Sequence, residues 1–206
     1  MAPEGEEGVD ESKRATLRRF AALGAASPLA GLASAGSVDS GSDAPDAIRG
    51  YLTATPGAHF SKVRDDLQLG TGETQHHLRR LENTGAVESR KDGNYRRYFP
   101  AGRFSEFEQV ALGYLRRETA RRMVVALLED PSLSAGAIAD RLGVSRPTVS
   151  SYARQLDEAG LLSREGGYTV EAPETLLVLL VRYADSFDEA TVELAAEADD
   201  LVVYDP

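Results

Sequence analysis

Residues 142–162 read LGVSRPTVSSYARQLDEAGLL. Gly143 turns the chain after an apolar Leu142, and Ser145 is placed to cap the helix that follows, because its hydroxyl can accept from an orphan amide of the first turn. That helix is predicted over Arg146 to Ala159. Val149, Ala153 and Leu156 stand at i, i+4 and i+7, one inward stripe, with Tyr152 at its flank. Gly160 stops the helix where positive φ is needed. The remaining positions, Arg146, Thr148, Ser150, Ser151 and Arg154, face outward and carry no acid until Asp157.

On either side of this stretch the pattern continues. A helix over Glu118 to Glu129 ends at Asp130-Pro131, and a second begins after a capping Ser134 and runs to Leu142. After Gly160 comes a short hairpin, Leu161 to Val170, with Gly166-Gly167 at its tip. Three helices are followed by two short strands.

The same order occurs once more, 75 residues earlier. Leu67 aligns with Leu142, Arg79 with Arg154, Leu81 with Leu156 and Gly85 with Gly160, without a gap. Upstream, Ile48 aligns with Met123, Leu52 with Leu127 and Val63 with Ile138. Identities are few, but the apolar positions and the glycine coincide, which is what a shared fold requires. In this first copy, helices are predicted over Pro45 to Thr53, Phe60 to Leu67 and Gly72 to Thr84. Gly70 is read as the turn, and Thr74, His77, Leu78 and Leu81 as the inward face of the third helix. Val87 to Arg90 and Tyr95 to Phe99 flank Lys91-Asp92-Gly93-Asn94, a hairpin signal because a tight primed turn demands positive φ.

This order is that of a winged helix-turn-helix. Residues 142–150 resemble the turn and recognition helix of ArsR-like and MarR-like regulators of bacteria and archaea. His76-His77-Leu78-Arg79-Arg80-Leu81-Glu82 followed by Gly85 is similar to the same helix in the ArsR-like branch. The resemblance covers roughly residues 45–171. It implies an α+β class, mainly α with small β-hairpins: two tandem winged helix-turn-helix domains, 44–103 and 104–171, plus C-terminal helices in an acidic region, 172–206. It also implies a partner, double-stranded DNA, and a role in transcriptional regulation in the cytoplasm.

A major groove about 12 Å wide admits one helix and is walled by phosphate, so the helix needs short polar groups toward the bases and cations toward the backbone. The outward set of the second copy fits that need. The first copy offers Thr71, Gln75, His76, Arg79 and Arg80, with Glu73 read as a first-turn carboxylate favoured by the helix dipole. Its wing adds Arg90, Lys91, Arg96 and Arg97, suited to lie along a backbone. The second wing has only Arg164, opposed by Glu165. The alternative reading is a winged-helix scaffold for protein–protein contacts. Cationic charge on the third helices and the first wing separates the two, since only DNA requires it.

Charge distribution supports the first reading. The chain is acidic, with net charge −10, yet residues 47–164 hold 18 basic and 14 acidic groups while residues 165–206 hold 1 and 11. A phosphate senses charge within about 10 Å in moderate salt. The acid excess, with 20 Arg against 3 Lys, resembles proteins of salt-loving cells.

Phe104 to Leu115 reads as a connecting helix. Arg116, Arg117, Arg121 and Arg122 follow, open to pairing with acids such as Glu118 or to phosphate contact. Leu176 to Val181 is aliphatic throughout and must be covered, by docking between the copies or as a homodimer contact. Phe187 to Ala198 reads as an acidic helix, and Leu201-Val202-Val203-Tyr204 as a strand or partner contact.

Residues 1–43 are set apart as a disordered or signal-like segment. Arg18-Arg19 before an Ala-Gly-Leu run, with Ala33-Ser34-Ala35, resembles a twin-arginine export signal. The run is too short and alanine-rich to span a bilayer, and export is the alternative to the cytoplasm. Ser37 to Asp43 reads as a linker. There is no cysteine, no phosphate-binding glycine loop, no nucleophile elbow and no HExxH, so no catalytic residue, cofactor or metal is assigned.

Overall fold

The computed structural model describes residues 6–25 and 43–196. Ala33–Ala35, the stretch from Ser37 to residue 42, and Leu201–Tyr204 lie outside the described residues. The chain divides into two compact units, Met1–Ser105 and Glu106–Pro206.

In the first unit, α1 (Glu6–Ala25) is followed by α2 (Asp43–Ala54), β1 (Ala58–His59), α3 (Phe60–Asp66) and α4 (Thr71–Asn83), then by β2 (Val87–Asp92) and β3 (Tyr95–Pro100). The periodicity that placed the three helices is the periodicity of burial. Ile48, Tyr51, Leu52, Val63, Leu67, Leu78 and Leu81 form the core, each such side chain contributing roughly 1.5–3 kcal/mol over its exposed state.

Two features of this unit differ from the expectation. The wing is the outer part of a three-stranded antiparallel sheet, ordered β1-β3-β2, because Ala58 and His59 pair with Tyr98 and Arg97. Two residues carry no period-2 signal, so the strand was invisible in the sequence. The turn between α3 and α4 also differs. Gly70 has extended backbone and acts as the N-cap of α4, while the left-handed residue is Gln68, at φ 54°. Gln68 aligns with Gly143, the corresponding turn of the second unit, at φ 69°.

Residues 1–43, expected as a disordered or signal-like segment, contain α1, which packs along α2. Leu17 and Phe20 lie against the core of the first unit, and Phe20 meets Tyr51 edge-on with ring centroids 5.2 Å apart. An apolar pair at i, i+3 docked on a preformed surface supplies the stability that propensity alone does not. Asp43, expected in the linker, opens α2.

The second unit runs α5 (Glu106–Leu115), α6 (Glu118–Glu129), α7 (Ala135–Leu142), α8 (Arg146–Glu158), β4 (Leu162–Ser163), β5 (Thr169–Val170), α9 (Pro173–Arg182), a 3-10 turn (Ala184–Ser186) and α10 (Glu189–Ala196). Ser134 accepts from the Ala137 amide and Ser145 from that of Thr148, capping α7 and α8 as the sequence implied. Met123, Leu127, Ile138, Val149, Ala153 and Leu156 are buried, the equivalents of the first unit's core positions at the repeat offset. Gly85 and Gly160 close α4 and α8 with φ of 69° and 70°.

Each unit therefore carries three helices and then a hairpin, in winged helix-turn-helix order. The aliphatic α9 is covered within its own unit. Leu176, Leu179 and Leu180 are buried, and α9 packs on α5 and α10. Val178, 60% exposed, and Val181 remain outside. No helix of the described residues is long and apolar enough to cross a membrane.

Candidate nucleic-acid interface

The outward face of α4 is built by elimination. Thr74, Leu78 and Leu81 are buried, so Thr71, Gln75, His76, Arg79 and Arg80 are exposed. The guanidinium groups of Arg79 and Arg80 have no hydrogen bond or ion pair to another described residue. The acids of this helix are occupied: Glu73 accepts from the Gly70 amide at 3.2 Å and from Lys13 at 3.4 Å, the capping role its position implied. Glu82 accepts from Ser89 and lies 3.5 Å from Arg96. His77 is half-buried with its Nδ1 unpartnered; burial first, then neighbouring His76, lowers its pKa.

The wing of the first unit sorts its cations by strand alternation, since successive side chains point to opposite faces. Lys91 stands directly across from Arg96, and both are exposed. Arg96 also reaches the Ser89 hydroxyl at 3.2 Å. Like charges opposed on a ladder destabilise it, and Glu82 offsets this on the Arg96 side. Arg90 is half-buried and faces Arg97 across the ladder.

Arg97 corrects the sequence reading. It is only 4% exposed, donates to the Gly57 carbonyl at 3.0 Å and pairs with Asp92. One residue from Arg96, it falls on the opposite face, and there it ties the strand to the turn before β1. It is a structural cation and leaves the candidate DNA-binding set.

At the base of this sheet His59 caps α3, its Nδ1 accepting from the Lys62 amide at 3.2 Å, and stacks on Tyr95 with ring centroids 5.0 Å apart. Burial, reinforced by Arg97 and Lys62, depresses its pKa. That agrees with a neutral imidazole acting as acceptor.

In the second unit α8 presents Arg146, Ser150 and Arg154 to solvent, with Thr148 and Ser151 half-buried. The Thr148 and Ser145 hydroxyls are 2.8 Å apart, and Gln155 donates to the Ser151 carbonyl. Arg154 pairs with Glu158 at 3.2 Å, both exposed; an i,i+4 surface pair contributes only about 0.3–0.5 kcal/mol and is readily exchanged for a phosphate. The Arg146 guanidinium lies over Gly136, where a Cβ would approach it to 3.1 Å. The wing of this unit is two residue pairs long, with Arg164 and Glu165 both exposed.

The arginine cluster after α5 resolves toward internal pairing. Arg116 donates to the Ser186 carbonyl at 2.7 Å and lies over the Phe187 ring at 4.3 Å. Arg121, 6% exposed, donates to the Leu115 carbonyl at 2.8 Å and pairs with Asp188. Arg122 pairs with Glu118 at 3.8 Å, and Arg117 covers Tyr114. The sequence left this open because the partners at 186–188 lie some 70 residues away. Among the described residues no group of three or more His, Cys, Asp and Glu is placed to hold a metal ion.

Residues 42–112 match a family model described as an N-terminal HTH domain, and residues 116–163 match one described as a winged helix-turn-helix DNA-binding domain. The chain is also similar to an uncharacterized HTH-type transcriptional regulator of Methanocaldococcus jannaschii, with 30% identity over 121 residues. That alignment takes in 58% of this chain and 30% of the archaeal protein, so the chain spans less than a third of the length of the curated relative it matches.

Proposed function

From the premise of two winged helix-turn-helix units in tandem, we propose that the chain is a cytoplasmic transcriptional regulator that binds double-stranded DNA in a sequence-specific manner. The third helix of each unit, α4 and α8, enters the major groove. Thr71, Gln75, His76, Thr148, Ser150 and Ser151 offer polar groups toward the bases. Arg79, Arg80, Arg146 and Arg154 hold phosphate or guanine, and the first wing lays Lys91 and Arg96 along the backbone, while Arg90 shares the inner face with Arg97.

The observation that carries this reading is the state of the acids on and beside α4. In an acidic chain, Glu73 and Glu82 are drawn into a cap and a wing contact, and Arg79 and Arg80 are left outward without a carboxylate partner. A face made for solvent in such a chain would carry exposed acids, and a scaffold for other proteins has no need of bare guanidinium groups. A homodimer through Leu176–Val181 would draw on Val178 and Val181, the exposed apolar residues of α9, and sedimentation of the DNA-free chain tests for it.

The test is selection of bound fragments from a genomic library, followed by footprinting and titration against salt. The intact chain is expected to protect a defined sequence. Arg79→Gln with Arg80→Gln, or Arg146→Gln, should weaken binding at least tenfold without lowering the unfolding midpoint. Full affinity in both variants would refute the placement of these helices, and binding of no duplex at low salt would refute the reading itself.

A further inference from the structure

Helix α1 stands outside the three-helix-and-wing plan, and between residues 13 and 22 the charged side chains it exposes are all cationic. Leu17 and Phe20 dock it on the first unit's core, while Arg14, Arg18 and Arg19 are exposed between and beside them. Arg19 lies 5.9 Å from the Phe20 ring centroid. The docking is not remote from α4. Lys13, one residue before Arg14, reaches Glu73 in the first turn of α4 at 3.4 Å.

We propose that α1 is a further DNA-binding element of the first unit, in which Arg14, Arg18 and Arg19 contact the phosphate backbone beside the groove that α4 enters. The inference rests on the DNA-binding reading above and extends it to a segment whose arginine pair resembles an export signal. The geometric argument is short. The groove is about 12 Å across and bordered on both sides by phosphates. The Lys13–Glu73 contact joins α1 to the leading turn of the inserted helix, the end that comes nearest a phosphate strand. Arg14 is one residue along α1 from that contact and Arg18 one turn further, a step of roughly 6 Å at 1.5 Å per residue. The apolar pair Leu17 and Phe20 fixes the helix against the core, so the cations are held in place before DNA arrives.

Lys13 has a complementary part. Glu73 is required as the cap of α4, yet its carboxylate sits at the end of the helix that approaches phosphate. The ammonium of Lys13 neutralises it there.

The experiment titrates the intact chain against its selected duplex over a range of salt concentrations. The variants are Arg14→Gln/Arg18→Gln/Arg19→Gln and, in parallel, Arg14→Lys/Arg18→Lys/Arg19→Lys. Glutamine is a good helix former, and circular dichroism with thermal unfolding verifies that α1 and the core persist. Each phosphate contact contributes about 0.9 to the slope of log affinity against log salt. The Gln variant is expected to lower the slope by about 2–3 and to bind at least tenfold more weakly, with the Lys variant retaining the slope. An unchanged slope in a folded Gln variant, with the wild-type chain binding normally, overturns the role of α1 alone. Absence of binding by the wild-type chain overturns the DNA reading together with it.

Discussion

Replacing Arg97 by methionine removes a guanidinium while keeping most of the volume of its stem. In the native fold this buried group joins the Gly57 carbonyl to the half-buried Asp92 carboxylate. Breaking a buried ion pair by deleting one partner typically costs about 3–5 kcal/mol, because the other is left without compensation. Asp92 has a further interaction of its own, which argues for the lower end, about 3 kcal/mol. For a domain of this size that corresponds to a fall in melting temperature of roughly 12 °C or more. Thermal and urea unfolding of the intact chain measure the loss, beside Arg96→Met as the exposed neighbour. Arg96→Met is expected to unfold within about 0.5 kcal/mol of wild type and to bind DNA more weakly. A variant at 97 that keeps its stability and loses DNA affinity instead would refute the assignment of Arg97 to the fold.

Two further outcomes follow from the same unit. Gln68→Gly relieves an exposed left-handed residue: the conformation costs a non-glycine roughly 1–2 kcal/mol, and glycine returns about 0.5–1 kcal/mol of that through the freedom of its unfolded chain. A net gain of about 0.5–1 kcal/mol in unfolding free energy is expected, and a loss would show that the Gln68 side chain matters. His59 has a folded pKa below its unfolded value of about 6.5, so its contribution to stability is complete above that pH and is lost as pH falls through the folded pKa. Protonation removes the acceptor that caps α3; His59→Asn keeps an acceptor without a titration and should flatten stability between pH 7 and 5. Equal pH dependence in both chains would sink the argument.

The helices were legible because their cores repeat. Ile48 with Met123, Leu52 with Leu127 and Leu81 with Leu156 report the same buried face twice, and an apolar stripe at helical spacing is a local signal. What the sequence did not disclose was set by distance. Arg116 and Arg121 find their partners at Ser186 and Asp188, and β1 exists only because Tyr98 is there to pair with Ala58. Arg96 and Arg97 look alike in sequence, and only the phase of a strand, fixed by tertiary packing, sends one to solvent and the other inward. Glycine marks turns in a sequence and so points to Gly70, but in the fold Gly70 caps α4 and the left-handed residue of the turn is Gln68.

The inward arginines also bear on what the chain's 20 Arg against 3 Lys accomplishes. Arg97, Arg116 and Arg121 each clasp a backbone carbonyl, of Gly57, Ser186 and Leu115, and each turns another nitrogen of its planar fork to a second group, Asp92, the Ser186 hydroxyl and Asp188. A lysine has the same formal charge but a single point from which to donate. Part of the arginine excess is thus mortar between distant segments, and swapping it for lysine would loosen the masonry while leaving every tally of net charge untouched.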